Sequence, residues 1–112
     1  MTEPLLEPFD LAGLRLRNRI FSSSHSPGYN VDGTPSDRYV RYHEEKAAGG
    51  LGLTMIGGSS NVSRDSASLW GQLSFATDAI IDPLADMVER VHAHGTAIMC
   101  QLTHMGRRNV SN

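Results

Sequence analysis

Three clusters along the chain carry the residue types that recognition chemistry needs: Ser22 to Ser26, Gly57 to Ser60, and Gln101 to Arg108. Each follows a short apolar run directly. The first offers hydroxyls and backbone N–H groups. The second opens on Gly57-Gly58, where missing side-chain bulk would let a flat ring lie against the backbone, or would simply serve a tight turn. The third opens on Gln101, whose amide presents a donor and an acceptor together. That pairing matches the adjacent N–H and C=O groups on the pyrimidine edge of a flavin, and it equally suits a bond to nearby loop backbone.

Five histidines, His25, His43, His92, His94 and His104, raise a metal-assisted hydrolase as the rival chemistry. His25 and His104 could converge, since both follow candidate strands, but no carboxylate with ligand spacing joins them. His92 and His94 are two apart on an expected helix, so their side chains diverge, and His43 falls on the packed side of its helix. The chain has no GxGxxG, no GxxxxGK and no GxSxG, the usual dinucleotide, phosphate-loop and hydrolase fingerprints. A non-catalytic interaction module is the third alternative.

The elements that must position these clusters can be read in order. Pro8 to Leu11 and Leu14 to Arg17 alternate apolar and polar residues around Ala12-Gly13, which predicts a hairpin. Ile20 to Ser23 is a candidate strand, running into Ser24-His25-Ser26-Pro27-Gly28, which cannot continue it. Thr34 to Asp37 supply capping oxygens, and Tyr39, Tyr42, His43 and Ala47 then fall on one face of a helix closed by Gly49-Gly50. Leu53 to Ile56 reads as a strand buried on both faces. Asp82-Pro83 predicts an N-cap and first helical position, with Leu84, Met87, Val88 and Val91 on one face and Gly95 at the close. Ala97 to Cys100 is the third strand. Strand, helix, strand, helix, strand is an α/β order with a parallel sheet and right-handed crossovers. All three clusters then lie at the carboxyl ends of strands, where such folds bind ligands. The connection from Ser59 to Ala79 is long enough to suggest function or short structure of its own.

With 112 residues, 39% hydrophobic and 20% charged, the composition is that of a globular domain. A net charge of −2 without a basic face argues against nucleic acid. No apolar run approaches the length of a membrane span, and the acidic start, MTEPLLEPFD, is unlike a secretion signal, so cytoplasm is the expected location. One cysteine, Cys100, allows no internal disulfide and no iron–sulfur cluster encoded in this segment.

These residues also carry a family resemblance. "LLEPFDLAGLRLRNRI" resembles the entry hairpin and first strand of the old yellow enzyme, or NADH:flavin oxidoreductase, family. "YHEEKAAGGLGLTMIGG" resembles its first helix and second strand, and "CQLTHMGRR" its third-strand motif. The resemblance implies an FMN-binding TIM (β/α)8 barrel, of which residues 1–112 are an N-terminal part: an entry hairpin and about three β/α units. It implies hydride transfer through the flavin between NAD(P)H, or an amine, and a small-molecule substrate such as an enoate, a dienoyl-CoA or an N-methylated amino acid. Ser24, His25 and Ser26 would lie beside or beneath the isoalloxazine, Gly58 would leave room for the ring, and Gln101 would hold the pyrimidine edge.

The first-strand loop, "SSSHSPG", departs from the proline and cysteine or threonine of many relatives. The combination of "SSSHSPGYNVDGTPSDRYVRYHEEKAAGG" with "SSNVSRDSASLWGQL" looks more like the branch of dienoyl-CoA reductases and N-methyl amino acid demethylases. The family's substrate-anchoring histidine/asparagine pair, its tyrosine proton donor and its phosphate-binding loops come from later strands. A complete barrel takes roughly 250 residues. The expected partners are therefore the rest of the barrel and a second copy of the full-length protein, with the segment alone inactive.

Overall fold

In the computed structural model, residues 3–66 and 71–108 are described. Part of the "SSNVSRDSASLWGQL" segment, residues 67–70, lies outside them. The chain opens with a hairpin, β1 (Phe9–Leu11) and β2 (Leu14–Leu16), paired antiparallel. Its turn places Ala12 and Gly13 at positive φ, and the Gly13 N–H is capped by Asp10 Oδ1 at 2.8 Å. The strands β3 (Phe21–Ser22), β6 (Leu53–Ile56) and β9 (Ala97–Cys100) form a parallel sheet in the order β3-β6-β9. Neighbours in sequence are thus neighbours in space. Between β3 and β6 come a two-residue hairpin, β4 (Asn30–Val31) and β5 (Thr34–Pro35), and helix α1 (Asp37–Ala48). Between β6 and β9 come β7 (Ser60–Asn61), β8 (Leu73–Ser74) and helix α2 (Ile81–His92).

Alternation along the strands separates two faces. Ile56, Ile98 and Cys100 point toward the helices and join a core with Tyr39, Val40, Leu73, Ile80 and Met87. Phe21, Leu53, Met55 and Met99 point the other way, toward the β1–β2 hairpin, and line an apolar hollow of about 410 Å³. Phe21 keeps 59% exposure and Met99 39%. The burial expected of Leu53 to Ile56 on both faces holds at Leu53, 4% exposed, and at Ile56, 2%, whereas the flanking Phe21 and Met99 stay exposed because the β1–β2 hairpin covers that side only in part.

Two boundaries differ from the sequence reading. The first strand shrinks to Phe21–Ser22: Asn18 Oδ1 accepts the Ile20 N–H at 3.1 Å, while the Ile20 carbonyl still accepts from the Gly52 N–H at 3.0 Å. Helix α2 begins at Ile81, straight after a 3₁₀ turn at Asp78–Ile80, so Asp82 and Pro83 sit inside its first turn rather than at its cap. Proline is tolerated there because the first N–H groups of a helix have no intrahelical partner. Helix α1 follows the expectation: Ser36 caps it, its side chain accepting from the Tyr39 N–H at 3.1 Å.

At the amino ends of the strands Arg17 holds the layers together. Its guanidinium donates to Leu51 O at 3.1 Å, His94 O at 2.6 Å, Ala47 O at 2.8 Å and Thr96 Oγ1 at 3.0 Å. It thereby ties a carbonyl in the last turn of α1 to one just beyond the end of α2.

Candidate functional site

At the opposite, carboxyl end of the sheet, the clusters meet. Ser24 follows β3 and Gln101 follows β9, and the Ser24 hydroxyl donates to Gln101 Oε1 across the top of β6. Residues 24 and 101 are brought together from the two outer strands, 77 positions apart in sequence. Cys100 points to the helix side, so strand alternation turns Gln101 to the other face, where its side chain is exposed. With Oε1 engaged by Ser24, the amide nitrogen is the end left for a ligand.

The glycines at the end of β6 permit this closure. A Cβ on Gly57 would lie 2.6 Å from Gln101 O and 2.7 Å from Ser60 Oγ. A Cβ on Gly58, which has φ +70°, would lie 2.4 Å from His25 N and 2.6 Å from its Cα. The space beside Gly58 that the sequence reading left for a ring is thus filled by the main chain of His25. Gly58 admits the first loop to the top of the second strand, and only its exposed side borders open space.

That open space is a cleft of about 450 Å³, lined by Ser26, Pro27, Gly28, Gly58, Ser59 and Gln72 among others. Its walls are tied together. Ser26 donates to Gly71 O at 3.1 Å, Ser59 to Gln72 Oε1 at 2.9 Å, and Gln72 Nε2 to Asn61 Oδ1 at 3.0 Å. The long connection after β6 therefore has structure of its own, and Asn61 continues into a parallel bridge with Thr103.

One face of α1 props up the loops from behind. Tyr39 Oη accepts the Gly57 N–H at 3.1 Å, Tyr42 Oη bonds His25 Nε2, His43 Nδ1 lies 2.7 Å from Thr54 Oγ1, and Lys46 donates to Ser22 Oγ at 2.8 Å. The sequence marked Tyr39, Tyr42 and His43 as a packed face but not as supports of the site, and it did not mark Lys46. Burial pushes the Tyr39 phenol up and drives His43 down to about 4, with the nearby Lys46 charge adding to the effect. His43 is accordingly a neutral core residue.

His104 and His94 make contacts of their own. His104 Nδ1 accepts the Gly106 N–H at 3.0 Å, and His94 lies against Glu44 at the other end of the fold. Among the described residues no group of three or more His, Cys, Asp or Glu could hold a metal ion. Burial pushes the Cys100 thiol up, opposite to what a reactive thiolate needs.

Residues 4–112 match the NADH:flavin oxidoreductase / NADH oxidase family. The chain belongs to this family. Among relatives of the NADH:flavin oxidoreductases, it is 51% identical over 107 residues to a multifunctional alkene reductase/demethylase of Caballeronia cordobensis, covering 96% of this chain and 16% of that protein. It is 45% identical to a probable N-methylproline demethylase of Rhizobium meliloti, covering 95% of this chain and 16% of that protein. Morphinone reductase in complex with tetrahydroNAD superimposes with a TM-score of 0.85 at 28% identity, over 96% of this chain and 29% of that one. A 2-naphthoyl-CoA reductase complex shares the fold with a TM-score of 0.90 at 21% identity, over 99% of this chain and 17% of that one. The hairpin and three-stranded parallel sheet are therefore the N-terminal part of an old yellow enzyme type TIM barrel, with the Ser24–Gln101 pair at the carboxyl ends of its strands. The chain spans less than a third of the length of these family members.

Proposed function

We propose that the chain forms the flavin-edge portion of an FMN-dependent oxidoreductase that passes hydride between NAD(P)H, or an amine, and a small-molecule substrate. The observation that carries this reading is the Ser24–Gln101 pair: an exposed amide, oriented by a hydroxyl, at the carboxyl face of a barrel sheet in this family. The residues present fit one part of FMN. Gln101 would offer its amide nitrogen to the pyrimidine edge, and the main chain of Ser24, His25 and Ser26 would lie beside the ring. Gly58 would keep the approach low. Bound FMN supplies the hydride acceptor and donor, at its N5. What the chain itself contributes is binding and orientation, through donors aimed before the ligand arrives.

For the substrate we read an N-methylated amino acid or an activated alkene. This rests on the relatives, which include an alkene reductase/demethylase, a probable N-methylproline demethylase and an N,N-dimethylglycine/sarcosine dehydrogenase of Chromohalobacter salexigens. An iron–sulfur cluster would take its ligands from outside this segment, which has Cys100 alone.

The test is the visible spectrum of the full-length protein. A yellow preparation that releases FMN, bleaches anaerobically with NAD(P)H or with sarcosine, and recovers with an alkene or with oxygen supports the reading. A colourless protein that takes up no added FMN overturns it, and stoichiometric zinc in the same sample would favour the hydrolase.

A further inference from the structure

We infer that Tyr42, on the outer helix α1, is a positioning residue for the ring-facing segment Ser24–Ser26, acting through His25. This rests on the flavin reading above. His25 Nδ1 lies 3.0 Å from Ser23 O. A carbonyl only accepts, so Nδ1 carries the proton, and in the neutral ring Nε2 is then a lone pair that needs a donor. Tyr42 Oη is that donor. The two bonds fix both the tautomer and the rotation of the imidazole.

Tyr42 is itself held on several sides. Its ring meets Tyr29 edge-on at 5.8 Å and His43 at 5.2 Å, and Lys46 Nζ lies 4.3 Å from its centroid while bonding Ser22. The His25 main chain is pressed against Gly58. His25 is thus pinned at its backbone by β6 and at its side chain by α1, and the residues on either side inherit that placement: Ser24 meets Gln101, and Ser26 meets Gly71. Without the Tyr42 hydroxyl, the imidazole keeps only its bond to Ser23 O and the Ser24–Ser26 segment loses its tie to α1.

The test uses the full-length protein. Imidazole ¹⁵N spectra of the wild type should show His25 as the Nδ1–H tautomer. Tyr42→Phe, which keeps the ring, should mix the tautomers and raise the FMN dissociation constant about fivefold, the loss of roughly one oriented hydrogen bond. Val91→Ala opens a cavity under the buried face of α2 and should lower thermal stability at an unchanged FMN dissociation constant, separating positioning from general softening. In a His25→Leu background Tyr42→Phe should have no further effect on FMN, because the coupling runs through His25. An Nε2–H tautomer in the wild type overturns the inference, as do wild-type FMN affinity in Tyr42→Phe or additive effects in the double variant. A wild type that binds no FMN defeats the flavin reading and this proposal's flavin half together, while the ¹⁵N spectra still decide the Tyr42–His25 link.

Discussion

The Ser24 hydroxyl donates to Gln101 Oε1 over the end of β6, so the loop after the first barrel strand sets the orientation of an amide on the third. A side-chain amide can flip, and a ligand edge that needs a donor binds only one of the two orientations. Ser24 selects the orientation that leaves the nitrogen outward. Gln101→Leu, similar in volume, should weaken FMN retention by on the order of 1–3 kcal/mol, the cost of leaving a buried polar edge unpaired. Ser24→Ala should weaken it less, since the amide remains and only its orientation is released. Fluorescence titration of the apo-protein with FMN measures both, and an unchanged affinity in Gln101→Leu would leave that residue a purely structural part.

Gly58 gives a sharper expectation than its place in the sequence did. If the glycine only made room for a ring, alanine would be mild and leucine severe. Here the first added carbon would lie 2.4 Å from His25 N, and the residue has φ +70°. Gly58→Ala should therefore already cost on the order of 2–4 kcal/mol, adding overpacking to left-handed strain. Gly50→Ala, with φ +106° and nothing within 4 Å, isolates the strain alone. Urea unfolding of the two variants should show Gly58→Ala as clearly the worse.

Arg17 predicts a stability effect with no effect on the site's chemistry. Its four acceptors lie on Ala47, Leu51, His94 and Thr96, at the amino end of the sheet. Arg17→Met should destabilise by on the order of 2 kcal/mol, below the sum of four bonds because the side chain is partly solvated. Arg17→Lys should recover little, since one ammonium cannot span acceptors on both helices. Denaturant midpoints read the loss, with the ratio of FMN affinities expected to stay at one.

What the sequence made legible follows from what its patterns encode. The runs Leu53–Ile56 and Ala97–Cys100 are bounded by glycine or polar residues, so both strands emerge at their observed limits. The Asp32-Gly33 turn joins β4 to β5, with both residues at positive φ; that dipeptide was the available signal for a hairpin the sequence reading did not include. Tyr42 and Lys46 could not be recognised as supports, because helical periodicity reports which residues share a face and not which loop folds over it. Gly58 was noticed for the right property, its missing side chain, but the neighbour that needs the space is His25, 33 positions earlier in the chain.

His43 makes the stability depend on pH in a defined window. Burial lowers its folded-state value to about 4 from an ordinary 6.5. Between these values the unfolded chain binds the proton and the folded one does not, so stability is full above about pH 6.5 and falls as pH drops toward about 4. The maximum slope is about 1.4 kcal/mol per pH unit. Glu44, held below the usual carboxylate range by its hydrogen bond from Arg90, loses its contribution as pH falls further, in the same direction but at lower pH. His43→Gln keeps a group able to bond Thr54 without the titration. Its denaturant midpoints should be flatter than wild type from pH 6.5 to 4.5, and parallel curves would place the pH sensitivity elsewhere.

The last expectation concerns the 112-residue chain studied by itself. Phe21 and Met99 are exposed, and with Leu53 and Met55 they line the hollow that faces the entry hairpin. In a closed barrel such side chains would be covered by layers from the other strands. The outer edges of β3 and β9 also have no partner strand among the described residues, and open edges promote association. The isolated chain should therefore self-associate rather than stay monomeric, and it should bind FMN weakly, because Gln101 and the Ser24–Ser26 loop reach only one part of the cofactor. Met99→Lys places a charge on the exposed apolar face without touching the helix-side core. It should shift the sedimentation distribution toward monomer while leaving FMN binding weak. Tight stoichiometric FMN binding by monomeric wild-type chain would show that these three β/α units already contain a complete site.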